Sequence, residues 1–339
     1  MNETIAVRRT DGGESAVVVG GGLLAELSGY LPGGRVIIIT DSNVHRRHMG
    51  VIDRYERIII GMGESHKTLI TVERLYRELI GMRVDRDCFI LGFGGGIVTD
   101  LAGFVASTYM RGLRFGFVSS TLLGQVDASI GGKNGVNVDG YKNMVGTFNQ
   151  PEFVLCDTDL LRTLPDREFR AGLAEIVKAA VIADPQLFGL LESHIYEEIK
   201  DDQALLTDII TRAIHIKADI VERDEREAGE RRKLNLGHTF AHALERTVDT
   251  YLHGEAVAVG MVMAAGMAVR AGALTQADGG RIKGLLEKLG LPVRTDIDRN
   301  RLLKAIRMDK KSEGDAIWFV MPTGIGSCEV RKKIGRAHV

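Results

Sequence analysis

The chain has 339 residues, 45% hydrophobic and 26% charged, with 44 Lys and Arg against 45 Asp and Glu for a formal net charge of -1. That balance excludes the strong positive field needed to hold nucleic acid or an anionic membrane, and the length exceeds what one compact core usually supports, so two domains are expected. No stretch approaches the roughly 20 apolar residues of a membrane span and the start has no apolar signal core, so a cytoplasmic location without membrane or nucleic-acid partners is expected.

Glycine is abundant, at 41 residues, which suits tight turns and close approach of backbone to a ligand. The three cysteines, Cys88, Cys156 and Cys328, have neither disulfide nor zinc-ribbon spacing, which favours a reducing compartment. In chain order, short β-branched runs over 36–40, 57–60 and 88–91 alternate with helical patterns, as in a mostly parallel sheet with helices packed on it. From about Pro165 helical periodicity takes over, at 168–182, 205–223, 238–247, 255–271, 279–289 and 299–308. The expected organisation is an α/β domain over 1–160 followed by a helical domain over 161–339, sharing a cleft.

Each candidate strand ends in residues suited to a ligand. The run LGFGGGIVTD over 91–100 follows a strand and opens a helix, placing bare amides and a positive helix end where a dinucleotide pyrophosphate fits. Asp41 and Asn43 close an earlier strand, and Glu64 and Lys67 close the next. Helix capping is the plainer role for such residues, but three corners on one edge favour a ligand. The segment 119–150 is too polar and glycine-rich to be core. It carries Lys133 after Gly131-Gly132, and Lys142-Asn143 after a turn, with Arg111 just upstream. Lysine as a point charge and arginine as a planar fork neutralise phosphate or carboxylate. Lys178, Lys217 and Arg231 stand in otherwise apolar or motif-like patterns and are candidates for the same cleft.

His238 and His242 lie four apart and share a helix face, and His253-Gly254-Glu255 follows. Thr239 stands where a metalloprotease of the H-E-x-x-H type has glutamate, which argues against peptide hydrolysis. With Glu175 on a glycine-flanked helix, the set offers a divalent ion two imidazoles and a carboxylate. Spacing leaves open which two of the three histidines are ligands.

The runs QVDASIGGKNGVN, YKNMVG, GLAEIVKAAVIAD, RRKLNLGHTFAHALE, HGEAVAVGM and MDKK resemble 3-dehydroquinate synthase, of the sugar-phosphate cyclase superfamily, in order over about 36–330. The resemblance implies an α/β Rossmann-like dinucleotide-binding domain, an all-α metal-binding domain and a homodimer. It implies Glu175, His238 and His253 as ligands of zinc or cobalt, with His242 on the substrate side. Arg111, Asp127, Lys133, Lys142, Asn143, Lys178, Lys217, Arg231 and Asn235 match its substrate pocket, and Lys310 or Lys311 its late lysine. Asp41, Asn43, Glu64, Lys67, Gly95, Gly96, Asp100, Thr121 and Thr158 match its NAD side, together with Lys133 and Lys142.

The implied substrate is a small phosphorylated sugar acid, 3-deoxy-D-arabino-heptulosonate 7-phosphate. NAD oxidises it transiently, phosphate leaves, hydride returns, and an aldol step closes the ring of 3-dehydroquinate, in the shikimate route to aromatic amino acids. Ser119-Ser120, Asn134, Thr99 and the VDGYKNM stretch with Tyr141 depart from the family pattern, in loops that bear on substrate identity. The alternatives are a cyclase for sedoheptulose 7-phosphate or glucose 6-phosphate, a glycerol-dehydrogenase-like oxidoreductase, and a noncatalytic metabolite-binding protein.

Overall fold

The computed structural model describes residues 2–9, 12–248, 250–309 and 316–334. The chain divides into two units, Met1–Leu164 and Pro165–Val339.

The first unit is built on a seven-stranded sheet. Its strands are β1 (Glu3–Arg8), β2 (Glu14–Gly20), β3 (Val36–Asp41), β4 (Glu56–Ile60), β5 (Phe89–Gly94), β6 (Arg114–Ser119) and β9 (Phe153–Asp157), in the order β1-β2-β9-β6-β5-β3-β4. All neighbours run parallel except the edge pair β1 and β2. Strands buried on both faces should be continuously apolar, and FILGFG of β5 is buried at every position. Helices α1 (Leu27–Tyr30), α2 (Ser42–Ile52), α3 (Leu69–Gly81) and α4 (Gly96–Thr108) connect these strands. The expected strands at 36–40, 57–60 and 88–91 are β3, β4 and β5, and the other four add to them.

One expectation is corrected. Much of 119–136 is core: Ser119 and Gln125 are fully buried, and Ser129 and Asn134 nearly so. Polar side chains enter a core when hydrogen-bonded. Gln125 Nε2 donates to the carbonyls of Ser119 and Asp157 at 3.1 and 2.9 Å, and Asn134 Nδ2 donates to those of Gly132 and Asn149 at 3.1 and 2.8 Å. The glycines let α4 press on this layer, since a Cβ on Gly103 would lie 1.9 Å from Asn134 Oδ1. The remainder forms a hairpin of β7 (Lys133–Val138) and β8 (Tyr141–Phe148). Its two-residue turn, Asp139-Gly140, has φ of 49° and 79°, as a type I′ turn requires.

The second unit is helical, with α5 (Asp166–Ala183), α6 (Pro185–Ser193), α7 (Tyr196–Asp201), α8 (Gln203–Arg223), α9 (His238–Thr247), α10 (His253–Arg270), α11 (Gln276–Lys288) and α12 (Arg299–Asp309). It also carries an antiparallel ribbon absent from the all-α expectation, β10 (Ala316–Gly324) and β11 (Ser327–Ile334). Trp318, Phe319 and Val320 favour strand, and Gly326 at φ 86° makes the turn.

Candidate active site

In the first unit the chain leaves β3 for the edge strand β4 and returns to β5 on the other side of β3, so strand order reverses between β3 and β5. Ligands of open parallel sheets bind outside the carboxyl ends of the strands at such a reversal. Gly95 caps α4 at this point with no side-chain hydrogen bond, leaving the first amides of the helix to a ligand. The glycines are also required by packing. A Cβ on Gly96 would lie 2.9 Å from that of Ala128, and one on Gly94 would lie 2.5 Å from Val98.

Beside it, Asp41 caps α2, its Oδ1 accepting from the amides of Asn43 and Val44 at 2.8 and 2.9 Å. Capping thus occupies one carboxylate oxygen at the corner. The buried Lys67 ammonium pairs with Asp100 on α4 and donates to Asn143 Oδ1 on β8 at 2.6 Å. Asn137 Nδ2 donates to Glu64 at 2.7 Å, and Asn137 Oδ1 accepts the Asn143 amide at 3.0 Å. One network therefore ties Glu64, Lys67, Asp100 and Asn143 together. It includes Asn137, which the sequence reading did not single out although it ends the GGKNGVN run.

The remaining first-unit candidates are scattered. Thr121 accepts the Gly124 amide at 3.1 Å, and its Cγ2 would lie 3.0 Å from a Cβ on Gly95, which puts it at the same corner. Asp127 sits in a π-helical turn over Gly124–Ala128 that packs on α4. Lys133 begins β7 and Lys142 lies on β8, both exposed. Thr158 is fully buried after β9. Arg111 lies past the far end of α4, roughly 20 Å of helix from Gly96 at 1.5 Å per residue, and does not join this group. Asn134, one of the departures from the family pattern, is a buried brace of the loop and presents nothing outward.

In the second unit Glu175, His238 and His253 come together from three helices, each offering a ligand atom within 4.8 Å of the others. Glu175 is 2% exposed on α5. Its Oε2 pairs with Lys178 and its Oε1 lies 3.6 Å from His253 Nε2, yet neither oxygen has a hydrogen bond of proper geometry. A buried carboxylate so placed fits a cation. His238 opens α9, its Nδ1 3.3 Å from the Leu236 carbonyl, which can only accept, so Nε2 is left as the donor atom toward a metal. His242 stands outside the group, its ring centroid 5.6 Å from that of His238.

Local sequence explains how His253 is held. Glu255 accepts the Leu252 amide at 2.8 Å, and Arg167 clamps Glu255 through a two-pronged ion pair at 2.7 and 2.6 Å. Gly254 is required because a Cβ there would lie 1.9 Å from the Ala171 carbonyl oxygen of α5. The HGE run thus sets the first turn of α10 against the helix carrying Glu175. Arg167 was not singled out from sequence, since one arginine in a helical pattern gives no signal.

Lys178 and Lys217 are buried on α5 and α8. Arg231 is 3% exposed in a loop organised by Asp224, which accepts the amides of Ala228, Gly229 and Arg231 at 2.9, 2.7 and 3.0 Å. Burial pushes the Asp224 carboxyl up, but these amides outweigh it and hold it below the usual carboxylate range. Asn235 donates to Glu227, which adopts a left-handed φ of 60°. Lys310 and Lys311 lie outside the described residues.

This architecture is that of the sugar-phosphate cyclases. It superposes on 2-epi-5-epi-valiolone synthase from Streptomyces hygroscopicus subsp. jinggangensis 5008, determined with NAD+ and Zn2+ bound, with a TM-score of 0.87 and 30% identity, covering 95% of this chain and 93% of that one. It also superposes on 2-deoxy-scyllo-inosose synthase complexed with carbaglucose-6-phosphate, NAD+ and Co2+, with a TM-score of 0.86 and 26% identity over 97% and 94% of the two chains. Family models match in succession, 3-dehydroquinate synthase N-terminal over residues 57–171 and 3-dehydroquinate synthase C-terminal over 172–312. The 3-dehydroquinate synthase of Halorhodospira halophila (strain DSM 244 / SL1) is 43% identical over 323 residues, covering 93% of this chain and 91% of the relative. The chain belongs to the 3-dehydroquinate synthase family.

Proposed function

We infer that the chain is a lyase that converts 3-deoxy-D-arabino-heptulosonate 7-phosphate into 3-dehydroquinate and phosphate, using catalytic NAD and a divalent metal. The observation that carries this beyond kinship is the buried carboxylate of Glu175 beside two imidazoles, with Lys178 against it.

Glu175, His238 and His253 are the ligands of the ion, zinc or cobalt. The bare amides at the start of α4 hold the pyrophosphate, and Asp41 and Asn43 hold ribose hydroxyls. Lys67 and Asp100, with Glu64, frame the nicotinamide side, Gly95, Gly96 and Thr121 shape the corner, and Asn143, hydrogen-bonded to Lys67, serves the substrate. When bound, the cofactor takes up and returns a hydride while the metal polarises the oxygen on the carbon concerned. Lys133, Lys142, Lys178, Lys217, Arg231 and Asn235 hold the substrate's carboxylate and phosphate and stabilise charge as phosphate departs. His242 acts on the substrate side, as a group able to carry a proton at neutral pH.

The protein acts in the cytoplasm as a homodimer. An exposed strand with apolar side chains favours self-association, and Tyr141, Met144, Val145 and Phe148 of β8 are all exposed. Light scattering should give twice the 37.0 kDa chain mass, and a single-chain mass at working concentration removes the dimer.

Activity is tested with the heptulosonate phosphate, zinc or cobalt, and NAD well below substrate. Phosphate release over many turnovers per NAD, without a lasting rise in NADH absorbance, and a cyclic keto acid as product are expected. Stoichiometric NADH without phosphate release would make the enzyme a polyol dehydrogenase instead.

A further inference from the structure

The ligand set leaves one buried acid without a role. Along α9, Glu245 follows His238 and His242 at seven and three residues, a spacing that places all three on one helix face. Its side chain is only 4% exposed, and glutamates are rarely so buried unless something pairs with them. Its Oε1 lies 3.3 Å from Nδ1 of His253. Nε2 of the same ring lies 3.6 Å from Oε1 of Glu175. The imidazole of His253 therefore spans two carboxylates, one at the donor cluster and one behind it. His238 is arranged in parallel, with Nδ1 directed at a backbone carbonyl and its ring centroid 5.2 Å from that of His253.

We propose that Glu245 is a positioning residue for the metal: it accepts the Nδ1 proton of His253, fixes that tautomer and ring orientation, and so presents a more basic Nε2 to the ion. The inference rests on the reading of Glu175, His238 and His253 as ligands. An ionised carboxylate accepts and cannot donate, so a neutral ring facing it must carry its proton on Nδ1. Its charge also strengthens the ring as a donor, and loss of such partners typically weakens metal binding about 10–100-fold. Geometry favours this role over a packing role, because a buried acid that only filled space would be better replaced by an apolar residue.

The test measures zinc affinity of the folded protein by competition with a chromophoric chelator, for wild type, Glu245→Gln and Glu245→Ala, with Tm of each metal-free protein alongside. The amide of Glu245→Gln keeps an acceptor but loses the charge. Affinity should fall in the order wild type, Gln, Ala, with Ala about 10–100-fold weaker. Variants that bind zinc as tightly as wild type, whatever their Tm, overturn the proposal and leave the metal site standing. A wild-type protein that takes up no zinc overturns the metal reading and this inference with it. If neither variant folds, nitrogen-15 spectra of histidine side chains in zinc-loaded wild type decide: a protonated Nδ1 and metal-bound Nε2 on His253 are expected, and ligation through Nδ1 overturns the proposal.

Discussion

The two units build their candidate binding groups from different materials. At the sheet edge the recognising groups are largely backbone: bare amides at the start of α4, brought close by Gly94, Gly95 and Gly96, with a side-chain network of Lys67, Asp100, Asn137 and Asn143 beside them. In the helical unit they are side chains, most of them on helices, with Arg231 and Asn235 on a short turn, and close backbone contacts lock the helices together. A Cβ on Gly260 would lie 2.2 Å from the Gly237 carbonyl oxygen, and Gly254 is pressed on Ala171, so α5, α9 and α10 meet where side chains are smallest. A backbone site is sensitive to added volume, and a side-chain site to removed donor atoms.

The comparison is tested most strongly at the metal. Glu175→Gln, His238→Ala or His253→Ala should lower turnover by roughly 10³-fold or more, as a Lewis acid supplies several kcal/mol and each 1.36 kcal/mol is tenfold. Chelation should do the same and zinc or cobalt should reverse it, whereas His242→Ala should impair turnover with metal content near wild type. Full activity of protein shown to be metal-free breaks this half of the scheme.

A smaller effect is expected at the backbone half. Gly96→Ala brings a methyl to 2.9 Å from the Ala128 Cβ, and such overpacking costs about 1–3 kcal/mol. Both Tm and NAD affinity should drop, the latter roughly tenfold if about 1.4 kcal/mol falls on the bound state. An unchanged dissociation constant for NAD by calorimetry would remove Gly96 from the cofactor corner. Next comes Asn134→Thr, at a position where the sequence departs from the pattern it resembles. It strips two carbonyls of their buried donor and should lower stability by about 1–3 kcal/mol in urea unfolding without changing which sugar phosphate is used. A changed substrate preference would return Asn134 to the specificity loop.

The smallest effect concerns the loop that carries Arg231. The folded Asp224 carboxyl sits below its usual value, so its contribution is present above about pH 4 and lost as pH falls through the lowered value. Wild type and Asp224→Ala should therefore differ in Tm at neutral pH and converge in acid. A gap independent of pH would mean that charge plays no part in holding the loop.

Sequence alone determined the features written in local pattern. Continuous β-branched runs announce parallel strands, a glycine run between strand and helix announces bare amides, and histidines four apart announce a shared helix face. Long ordered motifs carried the family. Elsewhere local pattern is silent or ambiguous. Gln125 and Asn134 are polar by composition and buried by virtue of hydrogen bonds to carbonyls up to 32 residues away. The apolar run of β10 follows a long series of helical patterns and gives no sign of its partner strand.

The tertiary structure alone decided which groups meet. It brings Glu175 to His238 and His253 across 78 residues of sequence and leaves His242 beside them, and it sets Arg111 at the far end of α4 from Gly96. It also puts Glu245 behind His253. Periodicity fixes only the face on which a side chain emerges. Which faces meet is settled by the close approach of helices at Gly237, Gly254 and Gly260, a contact between distant parts of the chain that no window of sequence contains.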